Sequence, residues 1–408
     1  MRASARAILV CLGVTSAVHA QYVTAFDDDG MVTVNGTRTF IVGSYYVGNN
    51  STAKGPAPEL YAEAAEAGFN LVLAGSTEAM DMAHAAGLMT WRPVGTLDLA
   101  DREGSAAKLK EAVAAVKDHP SLAFLETVDE PAWTWMKPEQ RIPAEALVEA
   151  YPIIKEIDPD HLLYTNHAPT NLVKTMQAYN AGTDIVAMDI YPVNPGGLKH
   201  QYALFEDGHQ GDLNNLTIGQ VGEYVDKMRR VTGPGRPLFM VLQGFAWEML
   251  QEEGKRDPAK ILYPTFAQHR FMAFQSVIKG ANGIVYWGTY FTPQPSEAWS
   301  DLKKTVSEVA GLGAVLAQRS SGIAVTVDYH ETGHSVDDGV QWIAKEYDGA
   351  LYVFTCNADR YPCKATLAGL KGWAKAEVLH EERTIAVREG GITDEWDAFG
   401  VHIYKLTR

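Results

Sequence analysis

The chain has 408 residues, of which 46% are hydrophobic, 21% charged and 10% aromatic, a globular composition that excludes a disordered or fibrous protein. That length suits one large barrel plus a smaller partner, or two to three average domains. A net charge of −15 repels phosphate backbones and anionic lipid, which argues against nucleic-acid and membrane-surface partners and leaves neutral or cationic substrates open.

Residues 1–20 read as an export signal. Arg2 and Arg6 flank a charged start, Ala7 to Val18 is apolar, and Val18-His19-Ala20 offers small residues for cleavage before Gln21. So short an apolar stretch does not span a bilayer, and no later one is long and charge-free enough. The expectation is a secreted or periplasmic protein. Cys11 leaves with the signal, so Cys356 and Cys363 either form one disulfide or remain two thiols. Asn35, Asn49, Asn50 and Asn215 each begin an Asn-X-Ser/Thr acceptor pattern, relevant only in a eukaryotic host.

A hairpin is predicted over 31–40, turning at Asn35-Gly36. Beyond it, apolar strand-like runs recur at 40–46, 69–74, 88–94, 122–128, 162–166, 185–191, 238–243 and 283–288. Helix-like segments separate them, at 58–67, 105–118, 144–157, 218–231 and 266–279, and a last one runs from Trp299 to about Leu316. A β-α repeat of about 35 residues with buried β-branched strands implies a parallel sheet, and eight units in roughly 250 residues fit a closed (β/α)8 TIM barrel. An open doubly wound sheet is disfavoured, because the chain has neither G-x-G-x-x-G nor the Walker pattern. Short strand candidates come next, at 322–329, 340–347, 350–355, 375–380, 384–387 and 402–406. The organisation read from this is a barrel with its hairpin over 21–320 and a small antiparallel β-sandwich over 321–408.

Reactive groups in such a barrel sit where strands end and lead into helices. The fourth strand ends Leu125-Glu126-Thr127-Val128-Asp129-Glu130-Pro131-Ala132-Trp133. Alternation places Glu126, Val128 and Glu130 on one face, with Glu130 at the rim, where Pro131 halts the strand. A rim carboxyl among aromatic neighbours such as Trp133 and Trp135 has its pKa raised and suits a general acid. In this order of elements, with Asp129-Glu130-Pro131 on the fourth strand, the chain resembles the clan A glycoside hydrolases, whose motif there is Asn-Glu-Pro. The resemblance covers about residues 31–320. It implies hydrolysis of a glycosidic bond in an oligo- or polysaccharide, with Glu130 as proton donor.

The chain departs from that pattern on the seventh strand. The resemblance implies a glutamate nucleophile at its end, and Gln243 stands there instead. Asp189 on the sixth strand can serve as the base of an inverting reaction; Glu248, five residues beyond Gln243, can replace the nucleophile; or the barrel binds sugar without cleaving it, with Gln243 bonding a hydroxyl. A retaining pair stands about 5–5.5 Å apart and an inverting pair about 6.5–9.5 Å.

Other strand ends suit carbohydrate, which needs fixed hydrogen-bonding groups and flat aromatic faces. They supply Tyr45, Arg92, Asn166, His167, Tyr191 and Trp287, with Asp129 and Trp133 beside the motif. Arg92 is predicted to pair with Glu126, which would otherwise be an isolated charge inside the barrel. The long 194–216 loop, with His200, Glu206 and His209, reads as a lid. His330-Glu331-Thr332-Gly333-His334 matches H-E-x-x-H, but a strand precedes it and Gly333 interrupts it, so it lacks the helix a zinc site requires. Asp27–Gly30 lacks the spacing of a calcium loop and reads as a turn. No metal or cofactor is called for.

Overall fold

The computed structural model describes residues 22–45, 57–133, 142–169, 171–196, 202–204, 210–212, 216–330, 336 and 338–408. Eight parallel strands close a barrel in chain order: β1 (Ile41–Ser44), β2 (Leu71–Leu73), β3 (Met89–Pro93), β4 (Leu122–Glu126), β5 (Leu162–His167), β6 (Ile185–Ile190), β7 (Leu238–Gln243) and β8 (Gly283–Trp287). All eight predicted strands are present, and β8 returns to β1 through Gly283 opposite Ile41. The helices α1 (Pro58–Ala67), α2 (Thr77–Ala85), α3 (Arg102–Ala114), α4 (Ala144–Ile157), α5 (Val173–Gln177), α6 (Gln220–Thr232), α7 (Phe266–Ile278) and α8 (Glu297–Gly311) fill the intervals. Local chemistry sets their ends: Pro58 begins α1, and Thr265 with Gln268 forms a capping box on α7.

Alternation divides the strands between two cores. Ile41, Leu73, Trp91, Phe124, Tyr164, Ala187, Val241 and Val285 fill the barrel, whereas Val42, Leu125, Leu163, Met188, Met240 and Ile284 pack under the helices. A register shift between Thr90 and Trp91 lets Ala123 and Phe124 both enter the barrel core. The predicted hairpin forms from Val32–Val34 and Thr37–Arg38, with Asn35 (φ 50°) and Gly36 (φ 76°) both left-handed. Its neighbouring strand Thr24–Phe26 plugs the barrel floor, where Thr24 Oγ1 donates to Ala123 O at 2.9 Å.

After α8 come β9 (Thr326–Tyr329), β10 (Val340–Tyr347), β11 (Ala350–Asn357), β12 (Cys363–Ala368), β13 (Lys375–Val378), β14 (Arg383–Ala386), β15 (Gly391–Trp396) and β16 (Val401–Thr407). They form two antiparallel sheets, β9-β12-β15 and β10-β11-β16-β13-β14, consistent with the expected sandwich. The strand candidates read from the sequence omit β12 and β15. Each buries few side chains, and polar residues such as Lys364, Asp394 and Glu395 dilute the hydrophobic signal. The two cysteines are free thiols, which corrects the disulfide alternative. Cys356 belongs to the core that includes the barrel helices, while Cys363 packs on the sandwich core, so the two sides of β11 separate them.

Phe354 of β11 is fully buried and stacks on Phe274 of α7, with ring centroids 6.2 Å apart, so sandwich and barrel share apolar contact. Phe354→Ala is expected to cost roughly 3–5 kcal/mol and to lower one common transition when barrel and sandwich are followed by circular dichroism and tryptophan fluorescence. Two separate transitions would show that the contact does not couple them.

Candidate active site

At the C-terminal mouth, β4, β5 and β6 bring four carboxyls together. Glu126 is the deepest, 2% exposed, and its Oε2 accepts the indole N–H of Trp91 at 3.1 Å. The predicted Arg92–Glu126 pair is absent. Trp91 points inward on β3, so the next residue leaves the barrel interior, and Arg92 donates to Ala74 O at 3.0 Å. Burial, then the charge of Asp129, pushes the Glu126 pKa up to about 8 against the pull of the Trp91 hydrogen bond.

Past Glu126 the strand ends, and the expected alternation ends with it. Glu130 takes a left-handed backbone (φ 46°), a strained conformation for a non-glycine residue, and its N–H donates to Asn166 O at 3.0 Å. This turn brings Asp129 and Glu130 into the same cluster, although they are sequence neighbours. Asp129 Oδ1 accepts from Asn166 Nδ2 at 3.0 Å and from the Tyr45 hydroxyl at a long 3.5 Å. The carboxyls of Glu130 and Asp189 hydrogen-bond each other. Asn166 Nδ2 also reaches Asp189 Oδ1, at 3.2 Å.

Burial, followed by the charges of Asp189 and Asp129, raises the Glu130 pKa well above the usual carboxylate range. Burial and Asp129 raise Asp189 too, while hydrogen bonds from Glu130 and Asn166 pull it back. The pair thus holds a proton between its carboxyls, and the hydrogen bonds from Glu130 and Asn166 favour ionisation at Asp189. Asp129 is exposed and Glu130 partly so, though protein surrounds both carboxyls on most sides, as on a cleft floor. Water reaches them, so desolvation acts less fully on them than on Glu126 and Asp189.

Aromatic rings build the adjoining wall. Tyr191, just past β6, stacks on Trp287 of β8 at 5.5 Å, and Phe245 and Trp247 pack against Tyr191 at 5.1 and 6.0 Å. Gly288 (φ 81°) turns the chain where a Cβ would lie 2.5 Å from the Phe245 ring. Tyr191 lies close enough to Asp189, Glu130 and Asp129 for their charges to act on its hydroxyl, so wall and floor are contiguous. Trp133 comes next in the turn and donates its main-chain N–H to Glu130 O at 3.0 Å.

Three other expected site residues sit elsewhere. Gln243 is fully buried; its Oε1 accepts Val193 N–H at 2.9 Å, and its Nε2 donates to Val193 O and Phe245 O at 2.9 and 3.0 Å. It ties the loops after β6 and β7 together, with its hydrogen bonds spent on backbone. Glu248 lies in a 3-10 turn, Trp247–Leu250, and accepts Asp257 N–H at 2.7 Å within its own loop. His167 is buried beside Tyr179, ring centroids 5.6 Å apart, and burial pushes its pKa down to about 4. Tyr164, whose hydroxyl meets that of Tyr45 at 3.1 Å, and Trp91 are inner members that strand-end reading alone did not select. Their inward alternation was the available signal. Tyr46, Trp135 and most of the expected lid, including His200, Glu206 and His209, lie outside the described residues, as do Glu331 to His334; His330 comes directly after strand β9. Among the described residues no group of His, Cys, Asp and Glu is arranged to hold a metal ion.

No family model and no curated protein matches the sequence. Solved structures do match the fold. A chain described as a glycoside hydrolase superposes with TM-score 0.60 at 13% identity, covering 94% of this chain and 96% of that one. A GH27 β-L-arabinopyranosidase from Geobacillus stearothermophilus gives 0.58 at 11%, covering 91% and 96%. A β-galactosidase from Bacillus circulans sp. alkalophilus gives 0.56 at 9%, covering 90% and 99%. The chain therefore has a fold shared by glycoside hydrolases, across both the barrel and the C-terminal sheets.

Two measurements check this site. Gln243→Glu removes two donors and aims a carboxylate at two carbonyl oxygens, so it is expected to destabilise by about 2–4 kcal/mol in chemical denaturation; unchanged stability would refute the backbone clamp. The folded-state pKa of Glu126 lies above its ordinary value of 4.5, so its contribution to stability is complete in acid and is lost as pH rises towards about 8. Glu126→Gln, which retains an acceptor for Trp91, is expected to flatten that fall in melting temperature.

Proposed function

We propose that the protein is a glycoside hydrolase acting on an oligo- or polysaccharide, with Glu130 as general acid. The observation that carries this reading is the Glu130–Asp189 carboxyl pair at the mouth of a closed barrel, beside stacked aromatic rings. Glu130, neutral in the resting protein, gives its proton to the glycosidic oxygen as the C1–O bond breaks. Asp189 is the candidate base, taking a proton from the water that adds to C1. The contact between the two carboxyls is shorter than the span of either stereochemical class. Inversion through Asp189 therefore requires sugar and water to part the pair. Trp133 and Trp287, both partly exposed, offer ring faces to the sugar, Tyr191 backs the Trp287 ring, and Asp129 borders the sugar's hydroxyls. The residues 1–20 pattern supports secretion or a periplasmic location, where such polymers are met.

A second reading is a carbohydrate-binding barrel without catalysis, and the Gln243 clamp favours it, because no strand-seven carboxylate faces Glu130. Glu130→Gln separates the two. In a polysaccharide-panel assay the variant is expected to lose about 10²–10⁴-fold in turnover on substrates with poor leaving groups, and less on 2,4-dinitrophenyl glycosides. Binding with no cleavage by the unaltered protein would favour the second reading. Proton NMR of the first-formed anomer then assigns inversion or retention.

A further inference from the structure

Strand-end reading makes Asn166 a substrate contact; the geometry points to another role. We infer that Asn166 is a positioning residue that fixes the backbone of Glu130 and decides which carboxyl of the mouth keeps the shared proton. The inference deepens, and rests on, the reading of Glu130 as proton donor.

Asn166 is 3% exposed, so little of it can touch a ligand. Its side-chain N–H donors are already engaged, Nδ2 donating to Asp129 Oδ1 at 3.0 Å and to Asp189 Oδ1 at 3.2 Å, while its buried Oδ1 has no hydrogen-bond partner. Its main-chain oxygen takes the Glu130 N–H at 3.0 Å, which helps hold the left-handed conformation that turns the Glu130 carboxyl towards Asp189. One residue on β5 thus grips three carboxylate-bearing residues, on the turn after β4 and on β6. It lies between those strands, with Asn166 opposite Ala187 in the β5–β6 register, two residues before Asp189.

The groups facing this cluster are Glu126, Asp129 and Glu130 from β4 and its turn, Asp189 and Tyr191 from β6 and just beyond it, Tyr45 next to β1 and Tyr164 from β5. Among the described residues no lysine, arginine or histidine acts on Asp129, Glu130 or Asp189. A neutral amide is therefore the main donor that favours ionised Asp129, and it joins the Glu130 hydrogen bond in favouring ionised Asp189. Both ionised groups in turn repel charge from Glu130 and keep it protonated. Without the amide, Asp129 and Asp189 hold their protons more tightly, the repulsion on Glu130 falls, and the shared proton moves towards Asp189.

The test uses the full chain with carbon-13-labelled side-chain carboxyls and an NMR titration. In Asn166→Leu, of similar size but without a donor, the Asp189 titration is expected to move up and that of Glu130 down, each by about one pH unit. Asn166→Asp, which swaps donor for acceptor, is expected to shift Asp189 in the same direction. In the unaltered protein, the Asn166 side-chain amide resonances are expected to titrate together with Asp189, a readout that needs no variant to fold. Amide resonances that do not respond to that titration, or folded variants whose two carboxyls titrate as before, overturn the inference. On a 4-nitrophenyl glycoside cleaved by the unaltered protein, the acid limb of the kcat profile should move up in Asn166→Leu with little change in KM. Turnover indifferent to Glu130→Gln would instead remove the proton-donor reading, while the carboxyl titrations still report on the role of Asn166.

Discussion

One shared proton organises the mouth of this barrel. Glu130 and Asp189 are in hydrogen-bond contact, and two like charges about 4 Å apart repel by about 4 kcal/mol even at an effective dielectric near 20. Two ionised carboxylates would not remain together there without a compensating cation. A proton between them resolves the conflict, and Asn166 gives the arrangement a direction, towards a neutral Glu130 and a charged Asp189. The surrounding structure is consistent with this constraint. Trp91 and Tyr164 exclude water beneath the pair, and the aromatic packing around Tyr191 does so at its side. Low polarity strengthens both the repulsion and the hydrogen bonds that answer it.

The barrel places these groups without their own pairing preferences having to do so. A parallel closed sheet fixes neighbouring strand ends a few ångströms apart, and the layers below are filled by Phe124, Tyr164, Phe239 and Val241 whatever stands at the rim. The rim is then free to carry strain. Glu130 sits in a backbone region that a β-strand would not supply, and Pro131, which cannot donate to a ladder, marks where regular pairing has stopped. A left-handed acidic residue held by a neighbouring strand's carbonyl is the kind of local cost that a well-packed scaffold can sustain.

Much of this was legible in the sequence, and the failures have a common cause. The eight strands, the Asn35-Gly36 turn and the ends of α1 and α4 come from periodicity and turn chemistry, which are local. Glu130, Asp189 and Tyr191, which the structure brings together, could be singled out because each lies at or just beyond a strand end, where the position in the repeat carries meaning. Alternation assigned Glu130 to the face of Glu126 and left out Asp129, yet the turn after Glu126, where alternation no longer applies, brings both into one cluster. The Arg92–Glu126 pair failed for the related reason that Trp91 takes the inward position and supplies the donor itself. His167 shows the limit of strand-end reading: it stands directly after Asn166, yet faces Tyr179 among the helices. Charge complementarity and adjacency do not reveal which way a side chain points; the strand's phase does.

Gln243 shows why a shared fold at 9–13% identity leaves the chemistry open. By position it stands where the resemblance implies a nucleophile, but an amide there has both a donor and an acceptor, and it uses them on Val193 and Phe245. A carboxylate offers acceptors only and would face two carbonyl oxygens at hydrogen-bond distance. The residue type and the local backbone are therefore matched to each other: these loops, as folded, suit glutamine and disfavour glutamate. Any second reacting group must accordingly come from Asp189, from another loop of the mouth or from the substrate. A change at position 243 alone would have to unbind two loops before it could restore a carboxylate to the cleft.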